Sequence, residues 1–167
     1  MFTVKGSPGG GLIGATVGFF VGFAAVSLFG PTTEVLQDIA GLKPALAGLL
    51  VSIPSLSGSL LRIPFSAMVD TTGGRKPFII LLILSAIGVL GIFLVLRISN
   101  VSVTGAADTE LIRRLFPLLL IFGVLGGCGI ATFSVGISQT SYWFPASKQG
   151  TALGTYAGIG NLAPGIF

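Results

Sequence analysis

Histidine is absent from this sequence of 167 residues, cysteine occurs once, and only 8% of the residues are charged. With Cys128 alone no disulfide can close within the chain, and without histidine a metal site lacks the ligands it would need. No cofactor is implied. Paired acids within one apolar run are missing too, so the sequence does not read as an enzyme. A soluble domain carries about 25% charged residues, and a chain with 8% has too few to cover a water-facing surface. The net charge of +4 is dispersed, so no basic cluster offers a nucleic-acid surface.

What is present is apolar: 52% of the residues are hydrophobic, and the mean hydropathy is +1.00. The apolar stretches are continuous rather than alternating. This favours membrane-spanning helices of about 20 residues over a barrel. The runs predict an all-α membrane protein with five spans, at about 12–29, 45–69, 77–96, 115–144 and 150–167. The N-terminal MFTVKGSPGGG reads as the lead into a retained first span, which Gly30-Pro31, Glu34 and Asp38 are expected to end. Pro44, Pro77 and Pro117 fall near expected helix starts, where a missing N–H costs little. Pro54 and Pro64 lie inside the second span and predict a kink.

Short connections at 70–76 and 145–149 alternate with a longer polar loop at 97–114, which gives an up-down weave. Bases do not choose its orientation. Lys5, Arg75, Lys76 and Lys148 fall on one side, and Lys43, Arg97, Arg113 and Arg114 on the other. Glycines recur at four-residue spacing: Gly14, Gly18 and Gly22; Gly123 and Gly127; Gly150, Gly154 and Gly158. That spacing puts small residues on one helix face and predicts close helix–helix packing.

Two stretches carry possible chemistry. Arg62 shares a helical face with Ser55, Gly58, Ser59 and Ser66 and has no acid near it in sequence. An arginine at bilayer depth costs about 2.5–3.5 kcal/mol and stays charged. Its donor fork suits a planar oxyanion, while snorkelling to the interface or pairing with a distant acid are the structural alternatives. The turn VDTTGGRK places Asp70 at the end of span two, Gly73-Gly74 at a reversal, and Arg75 and Lys76 at the start of span three. It reads as an ordinary charged loop or as a conformational latch.

SAMVDTTGGRK resembles the loop signature of the major facilitator superfamily between its second and third helices. Ser66 stands where that signature has a glycine, and Thr71 where it often has a base. LSGSLLRIPFS at 56–66, YWFPASKQGTALG, and GTALGTYAGIGNLAPG at 150–165 resemble the second helix, the link from helix four to five, and the signature of the nitrate/nitrite porter family. The resemblance runs in order along nearly the whole chain. It implies a substrate-binding role for Arg62, Asn161 and Phe133, with Phe23 in the same pocket. It also implies a cytoplasmic latch of Asp70, Gly74, Arg75 and Lys76. Leu162, Ala163 and Pro164 depart from the glycine-rich continuation usual in that family, and Pro164 is expected to kink or stiffen span five.

The resemblance further implies transport of nitrate or nitrite by most of the N-terminal six-helix half of a twelve-helix protein. That protein would sit in the plasma (inner) membrane with a cytoplasmic N-terminus and a missing C-terminal half as partner. Glu34, Asp38, Asp70, Asp108 and Glu110 all lie outside mid-span positions, which favours anion exchange over proton symport. The alternatives are a facilitator of another small anion, such as a carboxylate, and a non-transporting membrane assembly subunit.

Overall fold

A computed structural model of the chain describes residues 6–101 and 107–167. Lys5 and the middle of the 97–114 loop lie outside the described residues. The order is α1 Pro8–Ser27, α2 Phe29–Ala40, α3 Pro44–Thr72, α4 Arg75–Ile98, α5 Thr109–Gly126, α6 Cys128–Trp143, α7 Ala146–Gly160 and α8 Ala163–Ile166. The protein is an all-α membrane protein. Four stretches are long and apolar enough to cross a bilayer: Pro8–Ala40, Pro44–Thr72, Arg75–Ile98 and Thr109–Trp143. The fifth rod, α7 with the single turn α8, packs beside α1.

The first span is longer than the sequence predicts. Gly30-Pro31 does not end it, because Pro31 lies in the first turn of α2, where a missing N–H leaves nothing unpaired. The Thr32 N–H donates to Leu28 O at 3.1 Å, so the ladder resumes just past the proline. The 33-residue rod, roughly 50 Å at 1.5 Å per residue, ends instead at Gly41 in the left-handed region, φ 60°. Glu34 and Asp38 therefore ride on the exposed side of a helix rather than in a loop.

The fourth span starts earlier and is broken. Asp108 Oδ1 accepts from the Leu111 N–H at 2.9 Å, a cap that starts α5 at Thr109 and leaves Pro117 inside the helix rather than at its start. The break falls at Gly127, where the Ile130 N–H turns to Gly127 O at 3.0 Å. Carbonyls released by the break are met from neighbouring helices. Ser57 Oγ donates to Val124 O, and Ser85 Oγ to Gly126 O, each at 3.0 Å. Apolar surroundings leave such groups no water, so these hydroxyls are what make the break tolerable.

That segment is also the centre of the packing. Gly22 of α1, Gly58 of α3 and Gly88 of α4 converge on it. A Cβ at Gly22 would lie 2.9 Å from Gly129 O, one at Gly58 2.6 Å from Ile130 Cβ, and one at Gly88 2.8 Å from Gly126 Cα. Two apolar clusters flank this centre. One gathers Phe29, Leu36, Leu50, Val95, Ile112 and Leu119, and the other Phe19, Leu81, Val135 and Tyr156. The helices alternate in direction, and the α3 end, the α4 start and the α6 end meet at one end of the bundle. There Gly74 packs on the Gln139 side chain, and Trp143 lies against Gly11.

Candidate functional site

Arg62 lies in the second half of α3, half-buried, about 15 Å along the helix from its end at Thr72. Pro54 and Pro64 do not interrupt α3. Gly58, one turn before Arg62, lets α3 approach α6 closely, and so brings Arg62 against the α6 aromatic Phe133. The guanidinium carbon sits 5.2 Å from the Phe133 ring centroid, a cation–π geometry. Its Nε is buried and has no hydrogen-bond partner. Among the described residues the ion pair is Arg114 with Glu110, on the exposed surface, so no acid neutralises Arg62. Of its expected stripe, Gly58 is buried, Ser66 half-buried, and Ser55 and Ser59 exposed.

Phe133 belongs to an aromatic group drawn from three helices. Phe19 of α1 lies 5.2 Å from Phe133, 5.3 Å from Phe23 and 5.3 Å from Tyr156, centroid to centroid. Phe133 and Tyr156 stack at 6.3 Å with an interplanar angle of 21°. Phe23 thus joins the group through Phe19. The sequence reading missed Phe19 and Tyr156, which are both fully buried. Gly160, one turn after Tyr156, was a usable signal, because it packs on the Phe19 ring and lets α7 close on α1.

Asn161 follows the last residue of α7 and is exposed. Its Nδ2 donates to Ala157 O at 2.7 Å, within its own helix rather than to a neighbour. The expected packing of Gly150, Gly154 and Gly158 is not found within the chain: all three are exposed, and a Cβ on any of them would meet nothing within 4 Å. The reason is rotational. The inward face of α7 is the one with Ala152, Tyr156 and Gly160, two residues out of phase with the glycine ladder. In α1 the ladder divides in the same way: Gly18 meets Phe78 and Gly22 meets Gly129, while Gly14 faces open space.

At the turn, the α3 C-cap Gly73 has φ 75°, which a side chain would strain, and Gly74 is needed for its close contact with Gln139. Asp70 accepts a hydrogen bond from Tyr142 Oη of α6 at 2.8 Å. It forms no ion pair with Arg75 or Lys76, both exposed, so the carboxylate ties α3 to a neighbouring span through a phenol.

A family model described as "Major Facilitator Superfamily" matches residues 15–167. Curated relatives include the nitrate/nitrite transporter NarU of Escherichia coli, 30% identical over 118 residues, which are 71% of this chain and 23% of that protein. The probable nitrate/nitrite antiporter NarK1 of Thermus thermophilus is 30% identical over 152 residues, 91% of this chain and 30% of its own length. The probable nitrate transporter NarT of Staphylococcus carnosus is 28% identical over 155 residues, 90% of this chain and 34% of its own length. The chain thus matches only 23–34% of the length of these relatives.

Proposed function

From the premise that the chain belongs to the major facilitator superfamily, we propose that it is the N-terminal part of a nitrate/nitrite transporter, with Arg62 as a substrate-binding residue. The observation that carries the reading is the Arg62 guanidinium itself, held over Phe133 with a buried, unpartnered Nε and no acid beside it. A charge so placed is costly until a counter-charge arrives. A planar oxyanion meets the guanidinium fork in-plane with charge-assisted hydrogen bonds. The names of the relatives make nitrate and nitrite the anions to test. Phe133 and Phe23 form the apolar wall of the site, and Asn161 is a second donor if its side chain leaves Ala157 O.

Relatives of about three times this length support a second half that supplies the rest of the site. The open face of Gly150, Gly154 and Gly158 is then a packing surface for that half. Asp70, Gly74, Arg75 and Lys76 form the latch, on the cytoplasmic side of an inner membrane. Exchange of nitrate against nitrite is the mode, because the acids described here sit on the exposed side of α2, at the α3 end and at the start of α5 rather than beside Arg62.

Calorimetric titration of the full-length transporter with potassium nitrate tests the site. Arg62→Ala abolishes binding while the protein stays folded, and Arg62→Lys, which keeps charge but loses the fork, retains weak binding. Normal nitrate affinity in Arg62→Ala overturns the assignment. In liposomes, nitrate uptake driven by a pH gradient without internal nitrite would refute exchange.

A further inference from the structure

Tyr156 is the most buried large side chain near Arg62, and the anion contacts proposed above give it no role. Its relative exposure is 0%, yet it carries a hydroxyl, and a buried hydroxyl is retained only with a partner. The single Oη hydrogen is shared between two acceptors, Thr132 O at 2.8 Å and Phe133 O at 3.1 Å. Those carbonyls belong to the backbone that carries the Phe133 ring, and the same phenol ring stacks on that ring. Gly136 makes this reach possible, since a Cβ there would lie 2.7 Å from Tyr156 Cε2. On the other side Gly160 seats α7 against Phe19, which touches both Phe133 and Tyr156. Tyr156 therefore fixes Phe133 twice, at the main chain through its hydroxyl and at the ring through its face.

We infer that Tyr156 is a positioning residue for the anion site, holding the Phe133 ring at the height and tilt that set the Arg62 guanidinium for a planar anion. The inference rests on the proposed role of Arg62 and Phe133. Tyr156 touches no anion itself; it acts through Phe133. A phenol donating to the main chain keeps the ring in place in a way that a phenylalanine, free to slide within the same volume, does not.

The test is nitrate titration of the full-length protein carrying Tyr156→Phe, Phe133→Leu or both, with thermal unfolding measured alongside. A lost neutral hydrogen bond predicts about three- to tenfold weaker nitrate binding in Tyr156→Phe. In the Phe133→Leu background the same change should shift affinity by less than about twofold, because its route to the anion is gone. Loss of stability alone would lower the melting temperature equally in both backgrounds and would not produce that coupling. Should Tyr156→Phe fail to fold, Gly136→Ala, whose Cβ would meet the hydroxyl end of the phenol, displaces Tyr156 from α6 and is expected to weaken nitrate binding in the same range. Wild-type affinity in Tyr156→Phe, or an equal loss with and without Phe133, overturns the positioning role. Wild-type affinity in Arg62→Ala overturns the underlying site instead, so the two failures are separable.

Discussion

Gly22→Ala adds one methyl group at the point where α1 crosses α6, and its cost follows from what the methyl meets. The new Cβ would lie 2.9 Å from Gly129 O, 3.2 Å from Gly129 Cα and 3.3 Å from Thr132 Oγ1. Two of those atoms are main chain at the start of α6 and cannot swing aside as a side-chain tip would. Relief requires α1 and α6 to separate, which loosens Gly129 and the neighbouring contacts of Ser85 and Ile130. Forcing a methylene-sized group into a packed core costs about 1–3 kcal/mol. Alanine in place of glycine returns up to about 1 kcal/mol of helix propensity, so the net expectation is a destabilisation of up to about 2 kcal/mol. Gly14, two turns earlier in the same helix, is the control. No atom lies within 4 Å of its Cβ position, so Gly14→Ala should stabilise by roughly 0.5–1 kcal/mol. Thermal unfolding in detergent reads the difference, with about 2–4 °C expected per kcal/mol for a chain of this size. A Gly22→Ala protein that melts at or above wild type, or a Gly14→Ala protein that loses as much, would refute the close crossing of α1 and α6.

Ser85→Ala removes the donor to Gly126 O in a buried site and should destabilise by about 1–3 kcal/mol, the range for an orphaned buried acceptor; unchanged chemical unfolding would contradict the account of the Gly127 break. Asp70→Asn and Tyr142→Phe each weaken the same tie between the α3 and α6 ends, and both should slow nitrate exchange in liposomes while leaving nitrate affinity little changed. If either abolishes binding, the turn belongs to the anion site rather than to a latch. Gly158→Ala, at a position open within this chain, should not destabilise it, for the reason given for Gly14. In the full-length transporter it should slow exchange, and equal rates there would remove the proposed packing surface.

The all-α membrane architecture was legible because continuous apolar runs fold as helices in lipid, and four of the five expected spans are long and apolar enough to cross a bilayer. The Gly73-Gly74 reversal was legible because few other residues permit it. The break at Gly127 was hidden because composition shows no difference between a continuous apolar helix and two helices joined at a glycine; what decides is Ser57 and Ser85, residues distant in sequence that satisfy the freed carbonyls. The first span was misjudged for a related reason. Gly30-Pro31 looks like a stop by propensity, but a proline in a first turn continues a helix. Four-residue glycine spacing announced a face without saying which way it points. In α7 the neighbouring positions Ala152, Tyr156 and Gly160 took the inward side. At the site, Arg62 and Phe133 could be read from the family resemblance. Tyr156 and Phe19 could not, since an aromatic in an apolar span reads as lipid-facing or core until its neighbours are known.

The same small residues that pack the bundle also build the proposed anion site. Gly58 lets α3 approach α6 and so sets Arg62 on Phe133. Gly136 admits the Tyr156 hydroxyl to the α6 main chain, and Gly160 admits Phe19. None of these glycines carries a group that can touch an anion, yet each fixes a distance that the cation–π contact needs. Substitution at any of them should therefore change nitrate affinity as well as stability, whereas substitution at Gly14, which faces open space, should register in stability alone. The break at Gly127, where the bundle is packed most closely, and the proposed site at Phe133 lie within two turns of each other along α6. Any motion that re-seats α3 or α7 on α6 must then move Arg62 or Tyr156 relative to Phe133. That coupling gives the proposed transporter a direct route from helix rearrangement to a change in its hold on the anion.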